Sequence, residues 1–186
     1  TYILYKNLII NILKQSLIDI MEFTRDLNSL TEKEFITQFG SIFEKSEWIA
    51  IKAFKLKPFR DSQDLKNKMI NIFDSSSKEK VVKILNLHPK LAIEKKLTNF
   101  SSKEQTGAKL DTCTKEELEE FEKLNLDYEK KFKFPFVIAV KGKNKNEILD
   151  NFRLRIENNN DEEFNEAKTQ VKKIASFRLN DVLNIN

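Results

Sequence analysis

Apolar side chains recur three and four positions apart along most of this chain, with charged residues between them, the pattern of helices that bury one face. Thr31-Glu-Lys-Glu34 is a capping box that opens a helix through Phe39, which Gly40 closes. Residues 44–55, with Trp48, Ile51 and Phe54, form the next amphipathic segment, and Pro58 interrupts it. Residues 61–73 carry Leu65, Met69, Ile70 and Phe73 at helical spacing. A polar break at Ser75–Ser77 precedes a helix with Val81, Val82, Ile84 and Leu85, which ends at His88-Pro89 because the residue before proline is pushed out of the α region. A short linker from Ala92 to Phe100 leads to a second capping box, Ser101-x-x-Glu104, at the start of another helix. Thr114 to Glu117 is a third box, opening a helix with Leu118, Phe121, Leu124, Asn125 and Tyr128 on one face. Phe134 to Val140 is a continuous apolar run around Pro135, read as an extended buried segment able to wall a pocket. Residues 144–157 and 161–183 are the last two helices. Residues 1–20 are apolar but broken by Lys6, Lys14 and Asp19, which suits an amphipathic helix packed on the body or on a second subunit better than a bilayer span. The expectation is an all-α fold: an apolar helical extension over 1–20, then a single compact multi-helix domain over 21–186, with about eight or nine helices.

Composition agrees with that reading and removes several function classes. The chain has 186 residues, enough for one domain with a substantial core. Only three glycines and three prolines leave little material for hairpins. The formal charge is +4, but basic and acidic side chains are interspersed, and the one basic stretch, Lys141 to Lys145, reads as a solvated loop rather than a nucleic-acid patch. A lone cysteine, Cys113, excludes an internal disulfide, and one histidine with one cysteine argues against a zinc site. The fifteen phenylalanines suit a bulky helical core. Neither a cleavable signal peptide nor a peroxisomal Ser-Lys-Leu ending is visible, so a cytoplasmic protein is expected, with no membrane and no nucleic-acid partner.

Two side chains point to chemistry. His88, the only histidine, sits at a helix C-terminus, where the unpaired carbonyls would favour the imidazolium and hold an acid/base group near neutrality. A helix-end histidine with no catalytic task is the competing reading, just as capping alone explains Ser101-x-x-Glu104. In the final helix, Phe164, Ala167, Val171, Ile174, Ala175 and Val182 gather on one face, and Arg178 falls in its middle. A guanidinium there is costly unless an anion meets it. It snorkels to solvent, pairs with a buried glutamate, or faces a pocket and holds an anionic or carbonyl-bearing substrate.

A resemblance narrows these choices. His88-Pro89-x-Leu91-Ala92, Ser101-x-x-Glu104-Gln105-x-x-Ala108-x-Leu110, Phe121-x-x-Leu124-Asn125-x-x-Tyr128 and Phe134-Pro135-Phe136 follow one another in this order. Upstream stand Leu27-Asn28, Phe35, Phe43-Glu44-x-Ser46 and Trp48-Ile49-Ala50; downstream stand Ile148-Leu149, Arg155, Glu163 and Ile174-Ala175-x-x-Arg178-Leu179. From Met21 to Leu183 this resembles the OHCU decarboxylases, the 2-oxo-4-hydroxy-4-carboxy-5-ureidoimidazoline decarboxylases of urate breakdown. The resemblance implies an all-α carboxy-lyase that forms (S)-allantoin without metal or organic cofactor, commonly as a homodimer. It further implies His88 as principal acid/base and proton donor, with Glu104 orienting it or taking the substrate hydroxyl proton. Ser101 and Gln105 would hydrogen-bond the ring or ureido groups, and Arg178 would bind the polar end. Pro89 and the segment Phe134, Phe136, Val137, Ile138, Ala139 and Val140 would complete the binding site with backbone donors and an apolar wall. Three departures stand out: a linker about four residues short between Ala92 and Leu97, Lys109 in place of a glycine, and Glu47 in place of a proline before Trp48. They leave open two alternatives, a decarboxylase or hydrolase of a related ureido acid, and an inactive helical interaction module.

Overall fold

Side-chain caps set most helix starts where the sequence puts them. The computed structural model describes residues 6, 10, 12–15, 24–93 and 97–185. Residues 24–29 are helical, and eight α-helices follow: α1 Glu32–Phe39, α2 Trp48–Phe54, α3 Ser62–Asp74, α4 Lys78–Leu85, α5 Asn99–Gly107, α6 Lys115–Phe132, α7 Lys145–Arg155 and α8 Asn160–Leu183. A 3-10 turn, Leu110–Thr112, links α5 to α6, and no described residue lies in a strand. The helix expected over 1–20 falls largely outside the described residues; of it, residues 6, 10 and 12–15 are helical and exposed. No helix among the described residues is long and apolar enough to cross a membrane.

Thr31, Thr114, Asn144 and Asn159 each form a complete capping box with the glutamate three residues on, so α1, α6, α7 and α8 start with at least two amides satisfied by side chains. Gly40 does end α1, but at an ordinary φ of −65° rather than in a left-handed cap. A Cβ there would lie 2.5 Å from the Ile36 carbonyl oxygen, so close approach is what requires glycine.

Helix α8 is the spine of the domain, packing against α1, α3, α4 and α6. Ten of the fourteen phenylalanines among the described residues are buried. One group gathers around Phe35, whose ring lies 4.7 Å from Phe39 and stacks on Phe59 at 5.7 Å. Another surrounds Tyr128, with Phe132, Phe134, Phe136 and Phe152 against its ring.

Residues 134–140 are extended and buried, as expected. An extended buried segment outside a sheet needs other partners for its backbone groups, and side chains of α7 and α8 supply them. Arg155 Nη1 donates to the Val137 carbonyl at 2.9 Å, and the Ala139 amide donates to Gln170 Oε1 at 2.9 Å. The guanidinium of Arg155 also lies over the Phe136 ring, 4.5 Å from its centroid. Its charge is balanced by Glu163, a carboxylate with 0% exposure that accepts from Arg155, from the Tyr128 hydroxyl and from Asn158 Nδ2 at 2.7 Å. Burial pushes the Tyr128 hydroxyl far above its ordinary pKa, so it stays a donor to that carboxylate.

Lys109 adopts φ 59° and ψ 30°, the left-handed conformation, which accounts for the glycine usual at this position in the resemblance. The conformation costs an L-residue about 1–2 kcal/mol, against about 0.5–1 kcal/mol of extra chain entropy for glycine. Lys109→Gly is therefore expected to stabilise the fold by about 0.5–1 kcal/mol, read as a higher urea midpoint at unchanged slope. A lower midpoint would show that the lysine side chain contributes more than its backbone strain costs.

Candidate active site

The turn after α4 delivers His88, whose amide donates to the Leu85 carbonyl at 3.1 Å and whose residue is 8% exposed. Its Nδ1 lies 2.9 Å from the Ile84 carbonyl oxygen. A carbonyl only accepts, so the hydrogen bond assigns the proton to Nδ1 and leaves the Nε2 lone pair free. Nε2 is buried with no hydrogen-bond partner among the described residues, and His88 lines a small cleft. Burial lowers the imidazole pKa; the helix-end carbonyl of Ile84 and the Glu44 carboxylate pull the other way and are outweighed. This corrects the expectation of a helix-end imidazolium: the resting ring is neutral and presents an acceptor.

The capping box expected at Ser101 does not form. Thr98 is the N-cap of α5, its hydroxyl accepting from the Ser101 amide, so Ser101 lies one turn inside the helix. Both box residues then turn inward. Ser101 Oγ donates to Glu44 Oε2 at 2.8 Å, and the Glu104 carboxylate meets Arg178.

Arg178 is 2% exposed, on the buried stripe of α8 where helical periodicity puts it. Every face of its guanidinium is occupied. Nε and Nη2 donate to the two oxygens of Glu104 at 2.7 and 2.8 Å, in a two-pronged pair. Nη1 donates to Glu44 Oε2 at 3.2 Å and to the Ile42 carbonyl at 3.3 Å, and Nη2 also reaches Ser101 Oγ at 3.3 Å. Burial works against the charge, but Glu104 and Glu44 more than offset it and raise the arginine pKa. Glu44 is likewise 2% exposed; burial pushes its pKa up, and Arg178 with the Ser101 and Thr98 hydroxyls outweighs this and holds it below the usual carboxylate range. Sequence reasoning missed Glu44 as a site residue. It comes from a tight turn between α1 and α2, and a turn carries no periodicity from which burial can be read. Two signals pointed to it: its place in the Phe43-Glu44-x-Ser46 motif of the resemblance, and the demand of a buried Arg178 for an anion.

Gln105 accepts from the Ala92 amide at 3.0 Å through Oε1, and its buried Nε2 has no partner among the described residues. The cleft thus holds an unused acceptor, His88 Nε2, and an unused donor, Gln105 Nε2. Its lining includes His88, Pro89, Ser101, Glu104, Gln105, Phe136, Val137, Ile138, Val140 and Arg178, together with Leu91 and Ile174, which sequence reasoning did not assign to the site. Two of the expected residues lie elsewhere. Phe134 packs edge-on against Tyr128 in the core, and Ala139 turns toward Gln170 and an outer groove. The inner cleft has a volume of about 30 Å³ and the outer groove about 290 Å³; Glu104, Val140 and Ile174 border both. No group of three or more His, Cys, Asp or Glu side chains among the described residues is placed to hold a metal ion.

The sequence and the helical fold are similar to those of known proteins. The sequence profile of the OHCU decarboxylases matches residues 28–180. The chain is 34% identical over 155 residues to the 2-oxo-4-hydroxy-4-carboxy-5-ureidoimidazoline decarboxylase of Haloferax volcanii, covering 83% of this chain and 92% of the relative. It is 40% identical over 158 residues to the uric acid degradation bifunctional protein of Bacillus sp. (strain TB-90), covering 85% of this chain but only 32% of that longer protein. The crystal structure of (S)-allantoin synthase superposes with a TM-score of 0.70 at 29% identity, covering 86% of this chain and 53% of the other. The chain belongs to the OHCU decarboxylase family.

Because the folded pKa of His88 lies below its unfolded value of about 6.5, the unfolded chain binds the extra proton first. Stability is therefore complete above about pH 6.5 and falls as the pH drops toward the folded pKa, with a slope of up to about 1.4 kcal/mol per pH unit. Urea titrations from pH 7.5 to 5 are expected to show this slope in the native protein and to lose it in His88→Gln. An equal slope in both proteins would contradict a buried neutral imidazole.

Proposed function

We propose that the chain decarboxylates 2-oxo-4-hydroxy-4-carboxy-5-ureidoimidazoline to (S)-allantoin, acting as a carboxy-lyase in urate breakdown. The observation that carries this reading is the unpaired Nε2 of His88, facing the same cleft as the unpaired Gln105 amide and the Arg178–Glu104 pair, in a member of this family.

The chemistry asks for little beyond these groups. The carbon that loses its carboxylate also bears a hydroxyl and adjoins an imine carbon in the ring. When the carbon–carbon bond breaks, the electron pair forms a double bond between those ring carbons, and the imine nitrogen takes the charge and a proton. The hydroxyl proton must then leave its oxygen as another proton arrives on the neighbouring carbon, giving a ring carbonyl and a new stereocentre. A neutral imidazole with its lone pair toward the substrate is suited to take the hydroxyl proton and return it to one face of that carbon. Glu104 orients this exchange, or takes the hydroxyl proton itself, and Arg178 offers its Nε–Nη2 edge to the substrate's carboxylate or ring oxygens. Gln105 and Ser101 hydrogen-bond ring or ureido groups. In the wall the Val137 carbonyl is taken by Arg155 and the Ala139 amide by Gln170, leaving the amides of Ile138 and Val140 for the substrate. They serve as backbone donors beside the apolar side chains.

A cleft of about 30 Å³ holds little more than water, so binding requires it to widen. Turning the Glu104 side chain, 24% exposed, off Arg178 would join the cleft to the outer groove of about 290 Å³. The combined space reaches the lower end of small-molecule sites, about 300 Å³.

Circular dichroism with freshly prepared substrate tests this reading. The native protein is expected to form (S)-allantoin faster than the spontaneous racemic background, and His88→Ala to lose about 10²- to 10⁴-fold in kcat while keeping the helical spectrum. Absence of acceleration by the native protein would overturn the activity, and near-native turnover by His88→Ala would overturn the role of the imidazole. The same reading takes the enzyme as a cytoplasmic homodimer, a subunit contact suiting the exposed Ile12 and Leu13. Light scattering at micromolar concentration is expected to give twice the chain mass of 21.9 kDa, and a monomer there would contradict the dimer.

A further inference from the structure

The two carboxylates on Arg178 are not equivalent. Glu104 holds the Nε–Nη2 edge and borders both the inner cleft and the outer groove, with its side chain 24% exposed. Glu44 holds the opposite corner, Nη1, with its side chain 2% exposed, and lines neither space. Glu44 is also held from behind. Its turn is tied by the Ser46 amide to the Phe43 carbonyl at 3.1 Å and by the Ser46 hydroxyl to the Glu44 carbonyl at 2.8 Å. Glu104 therefore has somewhere to go when a ligand arrives, and Glu44 does not.

We propose that Glu44 is a positioning residue for the decarboxylation, the fixed anchor that keeps the Arg178 guanidinium and the Ser101 hydroxyl aimed at the cleft while Glu104 gives up its hold to substrate. This rests on the decarboxylase reading above. Without a second carboxylate, an arginine released by Glu104 would be a buried cation whose remaining contacts are neutral, the Ile42 carbonyl and the Ser101 hydroxyl. With Glu44 in place, the guanidinium stays charged, planar and in register, and the Ser101 hydrogen atom stays committed to Glu44 Oε2. That commitment fixes Ser101 as an acceptor, its oxygen receiving Arg178 Nη2 at 3.3 Å and the Thr98 hydroxyl at 3.1 Å. Glu44 also adds a negative charge to the field at His88, alongside Glu104 and opposed by Arg178.

Glu44→Gln keeps the shape and an acceptor oxygen but removes the charge; Glu44→Asp keeps the charge but draws it back by one methylene. Glu44→Gln is expected to fold, to lose about 10- to 100-fold in kcat/KM, as small misplacements in a site do, and to move the acid limb of its pH profile to lower pH. His88 is the only histidine in the chain, so its ring resonances in NMR follow that midpoint without ambiguity. Glu44→Asp is expected to lose activity while leaving the midpoint near its native pH. A glutamate that only stabilised the fold would lower the denaturation midpoint and leave both kcat/KM and the His88 titration in place, and that result in Glu44→Gln would overturn the proposal. Should Glu44→Gln fail to fold, native kcat/KM in Glu44→Asp would overturn it instead. Inactive native protein sinks the decarboxylase reading, whereas active native protein with an indifferent Glu44→Gln sinks only the anchor.

Discussion

One buried cation organises this molecule. Arg178 lies on the core face of the helix that α1, α3, α4 and α6 pack against, and a guanidinium there without anions would be more costly than the domain can bear. Its needs reach across the chain: to the turn after α1 for Glu44 and the Ile42 carbonyl, and to α5 for Ser101 and Glu104. Those contacts span separations of up to 136 residues, so satisfying one side chain ties the turn after α1 and helix α5 to the last helix. Of these groups Ser101 and Glu104, with Arg178 itself, line the cleft that includes His88, so the site and the polar core are one network.

A second buried pair, Arg155 with Glu163, does a different job on the other side. It lies beside the wall rather than in the cleft, and its partners are the Val137 carbonyl, the Phe136 ring and the Tyr128 hydroxyl. The two networks divide the task. One holds reactive groups at the cleft, and the other substitutes for the sheet that the extended segment lacks. This explains why Arg155, Glu163 and Tyr128 belong to the family resemblance although none lines the cleft.

Local signals were legible and distant ones were not. The caps at Thr31 and Thr114 were readable because donor and acceptor lie three residues apart and need nothing else. The same logic misled at Ser101. Thr98 competes for the cap, and the partners that draw Ser101 and Glu104 inward lie 57 and 74 residues away in the chain. Arg178 was legible as a breach of the α8 stripe, but which of the chain's acidic residues answers it was not. The state of His88 was misjudged because a helix end is visible in sequence and burial is not. Within 134–140 the apolar run was plain, yet which side chains face the cleft depends on the pins at residues 137 and 139, and these come from helices further along the chain.

Those pins have a mechanical consequence. Two attachments on residues two apart, one to α7 and one to α8, tie the wall to both of those helices. Helix α5 has nine residues and grips the body mainly through polar side chains, Ser101, Glu104 and Gln105. Compliance in this enzyme is thus lopsided: one jaw is anvil, and the other, carrying Glu104, is where it gives.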